Sequence, residues 1–144
     1  MDLSRPPEYF GGRAEVGTLP TVTAVNTALW IVQGVLAAFF GAGGVVKAVR
    51  PPKRLYDQGL TWVEDFSPGA VKAIGGLELA AALGLVLPAV TGIAPVLVPL
   101  AAVGLGLIMI GAAVVHVRRG ELPFIAVNGA LLAAAAFVAW GRAF

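Results

Sequence analysis

A glutamate stands in the middle of a long apolar stretch. It is Glu78, within AVKAIGGLELAAALGLVLPAV from Ala70 to Val90. That stretch has the length that crosses a bilayer, roughly 20 residues. An ionised carboxylate at mid-depth is costly there unless it meets a partner or lines a water-filled cavity. A carboxyl so placed can move a proton, hold a polar ligand, or hydrogen-bond a neighbouring helix and fix its register. Few side chains elsewhere in the apolar stretches could join it. Gln33 and Asn128 lie at similar depth, and Lys47 sits nearer a helix end with a stem long enough to reach about one turn inward. His116 closes the third stretch, where it reads as an interfacial histidine beside Arg118. Met109, on the same face, reads as packing. Glu78, Gln33, Lys47, Asn128 and His116 form the candidate polar cluster.

Composition says what must hold these residues. Of 144 residues, 58% are hydrophobic and only 12% charged, against about 25% charged in ordinary soluble domains. A soluble chain this small would need more polar surface to cover itself. The surplus of Ala, Gly, Val and Leu suits helices that face lipid and approach one another closely. Cysteine is absent, so the chain's own residues cannot exchange disulfides or build thiolate-ligated zinc or iron–sulfur sites. A single histidine excludes a bis-histidine haem within one subunit. Neither a Ser-His-Asp set nor a metal-ligand cluster is present, so no catalytic residue and no metal site is expected. The net charge of +2 does not point to nucleic acid, because the basic residues gather at helix ends rather than along one face.

Four spans follow from the hydropathy, at about 23–46, 70–90, 94–117 and 123–140. Residues 1–20 are polar, with Gly, Pro and mixed charges, and read as an exposed tail. Thr23 or Asn26 could cap the first span. Within it Gln33, Ala37, Phe40, Gly44 and Lys47 recur at helical spacing and share one face. Pro51 and Pro52 stop that helix, and Ser67-Pro68 starts the next. Between them Tyr56, Trp62 and Phe66 alternate with charges, as in an amphipathic segment lying at the membrane interface. Pro88 and Gly92 turn the chain from the second span into the third. Gly120 follows the basic end of the third span, and Pro123 opens the fourth. The loop side carries Lys47, Arg50, Lys53, Arg54, Lys72, Arg118 and Arg119, against Arg5, Arg13 and Arg142 on the other. That asymmetry places both termini away from the cytoplasm.

The end of span one (Gly44 to Lys47), the segment WVEDFSPGAVKAIGGLELAAALGLVLP with its Gly75-x-x-Glu78 motif, and APVLVPLAAVGLGLIMIGAAVVHVRRGE together resemble the DoxX-like family over about Ala28 to Arg142. The resemblance implies an all-α, antiparallel four-helix bundle in the membrane. It also implies company, since some members resemble subunits of thiosulfate:quinone oxidoreductases, others sit in complexes with soluble redox enzymes, and distant animal relatives act as chaperones for receptor assembly. The lack of cysteine departs from any member that works through thiols. The expected role is therefore an accessory, scaffold or assembly subunit in the plasma or inner membrane, meeting the bilayer and a protein partner or a second copy of itself. An alternative is a subunit binding a quinone or another lipophile, with quinone as the cofactor such a bundle could hold. A third is a small proton-coupled transporter, disfavoured by the lack of an inverted repeat.

Overall fold

A computed structural model describes residues 19–144. The exposed tail expected for residues 1–20 falls, but for its last two residues, outside them. Among the described residues the elements are α1 (Leu19–Val49), α2 (Pro52–Asp57), a short 3₁₀ helix (Thr61–Asp65), α3 (Pro68–Thr91), α4 (Leu97–Arg119) and α5 (Leu122–Ala143), with no strand. Four of these, α1, α3, α4 and α5, are long and apolar enough to cross a membrane. They form an antiparallel bundle.

Physical reasons for the ends are visible residue by residue. The Ser67 hydroxyl accepts the Ala70 N–H at 3.2 Å, and Pro68 follows at the first helical position. A proline there gives up only an N–H that has no helical partner in any case. Gly92 and Gly120 adopt left-handed φ values of 71° and 70° and end α3 and α4, a conformation that a Cβ disfavours. Two expectations about termini are corrected. Thr23 and Asn26 do not cap α1, because the helix already begins at Leu19. Pro88 does not turn the chain, because α3 runs through it to Thr91. Its ring removes the N–H that would bond the Gly84 carbonyl, yet tertiary packing carries the helix across the gap.

α1 is 31 residues long, about 46 Å at 1.5 Å per residue, and so exceeds a hydrocarbon core of about 30 Å. Its first turns are accordingly the polar ones, with Thr21, Thr23, Asn26 and Thr27 all exposed. α1 packs most extensively on α3 and α4 on α5; α3 and α4 meet less, and α1 and α5 least. The core holds Leu36, Phe40, Ala82, Leu85, Leu105 and Val138, with contributions from all four spans. Outward lie Ile31, Val35, Leu77, Leu87, Leu100, Val103 and Leu107, each about half or more exposed. Such a surface suits lipid and would be a liability in water.

The α1–α3 contact is a backbone contact. A Cβ built on Gly44 would lie 2.6 Å from the Gly75 carbonyl oxygen, and one on Gly75 would lie 2.7 Å from that of Gly44. Small residues at one level let two helices approach this far and gain dispersion that lipid cannot supply. α2 and the 3₁₀ helix form a separate small layer across one end of the bundle, with Leu55 and Val63 buried against Val71 and Val46.

Candidate functional site

The Gly44–Gly75 contact brings together the two side chains that begin the site. Lys47 leaves α1 one turn below Gly44, and Glu78 leaves α3 one turn from Gly75. Lys47 Nζ donates to Glu78 Oε2 at 2.6 Å. Glu78 is 3% exposed, and Lys47 keeps a little more contact with the surface. The mid-membrane carboxylate is thus ion-paired, and of the partners expected for it, Gln33, Lys47 and Asn128, the one bonded is the residue with the long stem.

Two further groups face the same space. His116 is buried near the end of α4, stacked on Phe124 of α5 with ring centroids 4.9 Å apart. Its Nδ1 lies 2.6 Å from Glu121 Oε2, and a carboxylate can only accept, so Nδ1 carries the proton in that bond. Asn128 of α5 is buried as well, and its Nδ2 meets no acceptor among the described residues. Lys47, Glu78, His116, Glu121 and Asn128 all line one cavity of about 430 Å³. Phe39, Phe40, Ile74, Ile108, Met109 and Leu131 supply apolar wall, and Leu60, Trp62 and Phe66 form a roof. Ligand sites share this character: mostly apolar, with a few convergent polar groups.

The roof is held down by charge. Arg119 donates from Nη1 to Asp65 at 2.7 Å, from Nη2 to Glu64 at 3.0 Å and from Nε to Glu121 at 2.9 Å. The Thr61 hydroxyl donates to Glu121 Oε1 at 3.2 Å. One arginine therefore latches the 3₁₀ helix to the α4–α5 turn, with Glu121 shared between latch and cavity. The Glu121 carboxyl is held below the usual carboxylate range, first by the Arg119 hydrogen bond and then by that of His116. A depressed value means that these bonds stabilise the fold above the ordinary carboxylate pKa, and that the benefit fades as pH falls through the lower, folded value. The roof is expected to stay docked at neutral and mildly acidic pH and to loosen in stronger acid. Hydrogen exchange of the Leu60 to Phe66 amides across pH measures this, and Arg119→Ala should move the loosening to higher pH. Identical profiles for the two proteins would refute the latch.

Of the residues expected to cluster, the structure brings together Glu78, Lys47, Asn128 and His116. It separates Gln33, whose amide donates to the Leu85 carbonyl and accepts Arg142 Nε at 2.9 Å. Leu85 lies seven residues beyond Glu78, about 10 Å along the helix, so the two polar groups share a seam but not a site. Arg142 also bonds Asn26 at 3.0 Å and lies over the Trp30 ring at 4.9 Å. His116 takes Glu121 rather than the neighbourhood of Arg118. Of the interfacial residues, Trp62 and Phe66 turn inward, 5.6 Å apart edge to face, whereas Tyr56 stays exposed. Glu121, Arg119, Thr61 and Arg142 are participants that sequence reasoning missed. The signal for Glu121 was the left-handed Gly120, which folds the chain back on the last turn of α4.

A sequence model of the DoxX-like family matches residues 31–138, three quarters of the chain. The chain belongs to the DoxX-like family. It is an integral membrane protein of four spans, and the matched region contains Lys47, Thr61, Glu78, His116, Glu121 and Asn128 of the cavity wall. No curated protein and no solved structure matches the chain. The cavity of this DoxX-like protein is therefore to be read from its own residues.

Proposed function

We propose that this DoxX-like protein binds an amphiphilic small molecule in the roofed cavity, as an accessory subunit of a membrane-associated complex. The observation that carries the reading is the asymmetry of the cavity wall. Lys47, Thr61, Glu78, His116, Glu121 and Asn128 converge within a surface that is otherwise mostly aliphatic and aromatic. Such a wall suits a molecule with an apolar body and one polar head. Quinones belong to that class, and the ion-paired Glu78 and the carboxylate-bound His116 are groups able to exchange protons with a bound head. A redox role follows if the bound lipophile is a quinone.

Organic extraction of the protein purified in mild detergent, followed by mass spectrometry, tests the reading. One lipophile class in near-stoichiometric amount is the expected result. Recovery of bulk lipid only, together with failure of added quinones or other lipophiles to bind, would end it. The accessory role has its own support in the exposed outer face of α2, where Lys53, Arg54, Tyr56 and Asp57 stand free of the bundle. Affinity purification should recover a reproducible partner, and a protein that always returns alone would count against that part. The bias of Lys and Arg toward the α2 side supports non-cytoplasmic termini in a plasma or inner membrane. A C-terminal reporter active only in the cytoplasm would reverse it.

A further inference from the structure

Each ionised group on the cavity wall already has a bonded partner. Lys47 is paired with Glu78, and Glu121 with Arg119 and His116. An anionic head finds no free cation among these groups, and a cationic head no free carboxylate. What is unmatched is neutral. Asn128 is only 8% exposed, lines the cavity and has an amide Nδ2 without an acceptor among the described residues. A buried donor left unbonded costs stability, so a native one calls for an explanation. An acceptor oxygen on a bound molecule would satisfy it.

The way in is legible from the same helices. At one end α1 and α5 are tied together, with Leu29 pressed against Gly141 and Arg142 bonded to Gln33 and Asn26. Towards the other end the cavity lies between them. Phe39 of α1 and Phe124 and Val127 of α5 line it while remaining 56%, 49% and 49% exposed on the flank of the bundle. Residues that face a cavity and the lipid at once mark an opening to the lipid. The water-facing end is covered by the roof, with Arg119 bonded to Glu64 and Asp65.

We infer that the ligand enters sideways from the bilayer between α1 and α5, and that its head is neutral and presents a carbonyl-type oxygen to the Asn128 amide. This rests on the lipophile-binding reading and adds head-group chemistry and route. The apolar tail then remains in the seam beside Phe39 and Val127, continuous with the hydrocarbon phase. A membrane-dissolved neutral amphiphile fits these terms; a soluble anion does not.

Three photoaffinity probes with the same chain and a mid-chain diazirine test it: a methyl ketone, the corresponding fatty acid and the alkane. Each is added to the full chain in phosphatidylcholine vesicles, and crosslinked residues are mapped by mass spectrometry. The ketone should label the Phe39 to Lys47 or Phe124 to Leu131 segments saturably. Its half-saturating concentration should be about tenfold lower than the alkane's, as one added hydrogen bond allows. Asn128→Leu should erase that advantage, bind the alkane at least as well through its added apolar surface, and leave the melting temperature equal or higher, since the Asn128 Nδ2 bonds nothing among the described residues.

A ketone advantage that survives Asn128→Leu, or tightest binding by the fatty acid, would overturn the head-group assignment. A fall of several degrees in Asn128→Leu would assign the amide to the fold and overturn it too. Labels confined to Thr61 to Phe66 would overturn the lateral route. If no probe labels the protein saturably, the lipophile-binding reading itself falls.

Discussion

Lys47→Ala is expected to destabilise the protein by about 3–5 kcal/mol, the usual cost of stripping one partner from a buried ion pair. Glu78 would then be left 3% exposed beside the touching backbones of α1 and α3, with no second cation bonded to it among the described residues. Glu78→Leu should cost less, because the lysine stem can carry its charge toward the interface once the carboxylate is gone. The double variant Lys47→Met/Glu78→Leu is expected to fall within about 1–2 kcal/mol of the native protein, since apolar side chains often replace a buried pair without loss. Melting temperature in detergent, read as a double-mutant cycle, measures the coupling. Additive losses would show that the 2.6 Å contact contributes little. Glu78→Gln separates the roles within the same set. If the carboxyl only sets helix register, the amide, whose oxygen can still accept from Lys47, should lose less stability than Lys47→Ala and leave ligand binding intact. If it exchanges protons with a bound head, the variant should fold, bind, and lose any proton-linked activity.

The second large effect belongs to the glycine contact. Gly75→Ala places a methyl 2.7 Å from the Gly44 carbonyl oxygen, 2.7 Å from Lys47 Cβ and 2.9 Å from the Ala48 nitrogen. Two of these are backbone atoms, so α1 and α3 must separate rather than a side chain rotate. Overpacking of this kind costs about 1–3 kcal/mol and occasionally more, and it outweighs the gain of about 1 kcal/mol that alanine brings to a helix interior. Separation of the helices also lengthens the Lys47–Glu78 bond, so ligand binding should fall together with stability. Gly76→Ala is the matched control, because a Cβ there meets nothing within 4 Å; it should be neutral or mildly stabilising. Thermal melts of the two variants decide the matter, and equal melting temperatures would mean that the close approach is not required.

Much of this protein was readable from residue order alone, for reasons of solvent. Lipid rewards long apolar runs and excludes unpaired backbone, so four helices and their number follow from hydropathy. Proline and glycine fixed several ends, as at Ser67-Pro68 and Gly120, because their dihedral restrictions act within a few residues. Helical spacing also assigned Gln33, Phe40, Gly44 and Lys47 to one inward face.

Tertiary structure alone decided which polar group meets which. Gln33 and Lys47 share that face, yet only the axial offset between α1 and α3, set by the Gly44–Gly75 contact, gives Glu78 to Lys47 and leaves Gln33 to Arg142. The roof was equally hidden. Arg119 read as a topology charge, and the acids between Trp62 and Phe66 as charges of an amphipathic interfacial segment, until the α4–α5 turn and the 3₁₀ helix were folded over the same end of the bundle. Partners 54 and 55 residues apart have no local signature in a sequence. Pro88 shows the converse, a strong local breaker overruled by the packing of α3 on both its neighbours. Composition and periodicity act through solvent and nearest neighbours. A site is made of distances between helices, and those exist only once the helices have packed.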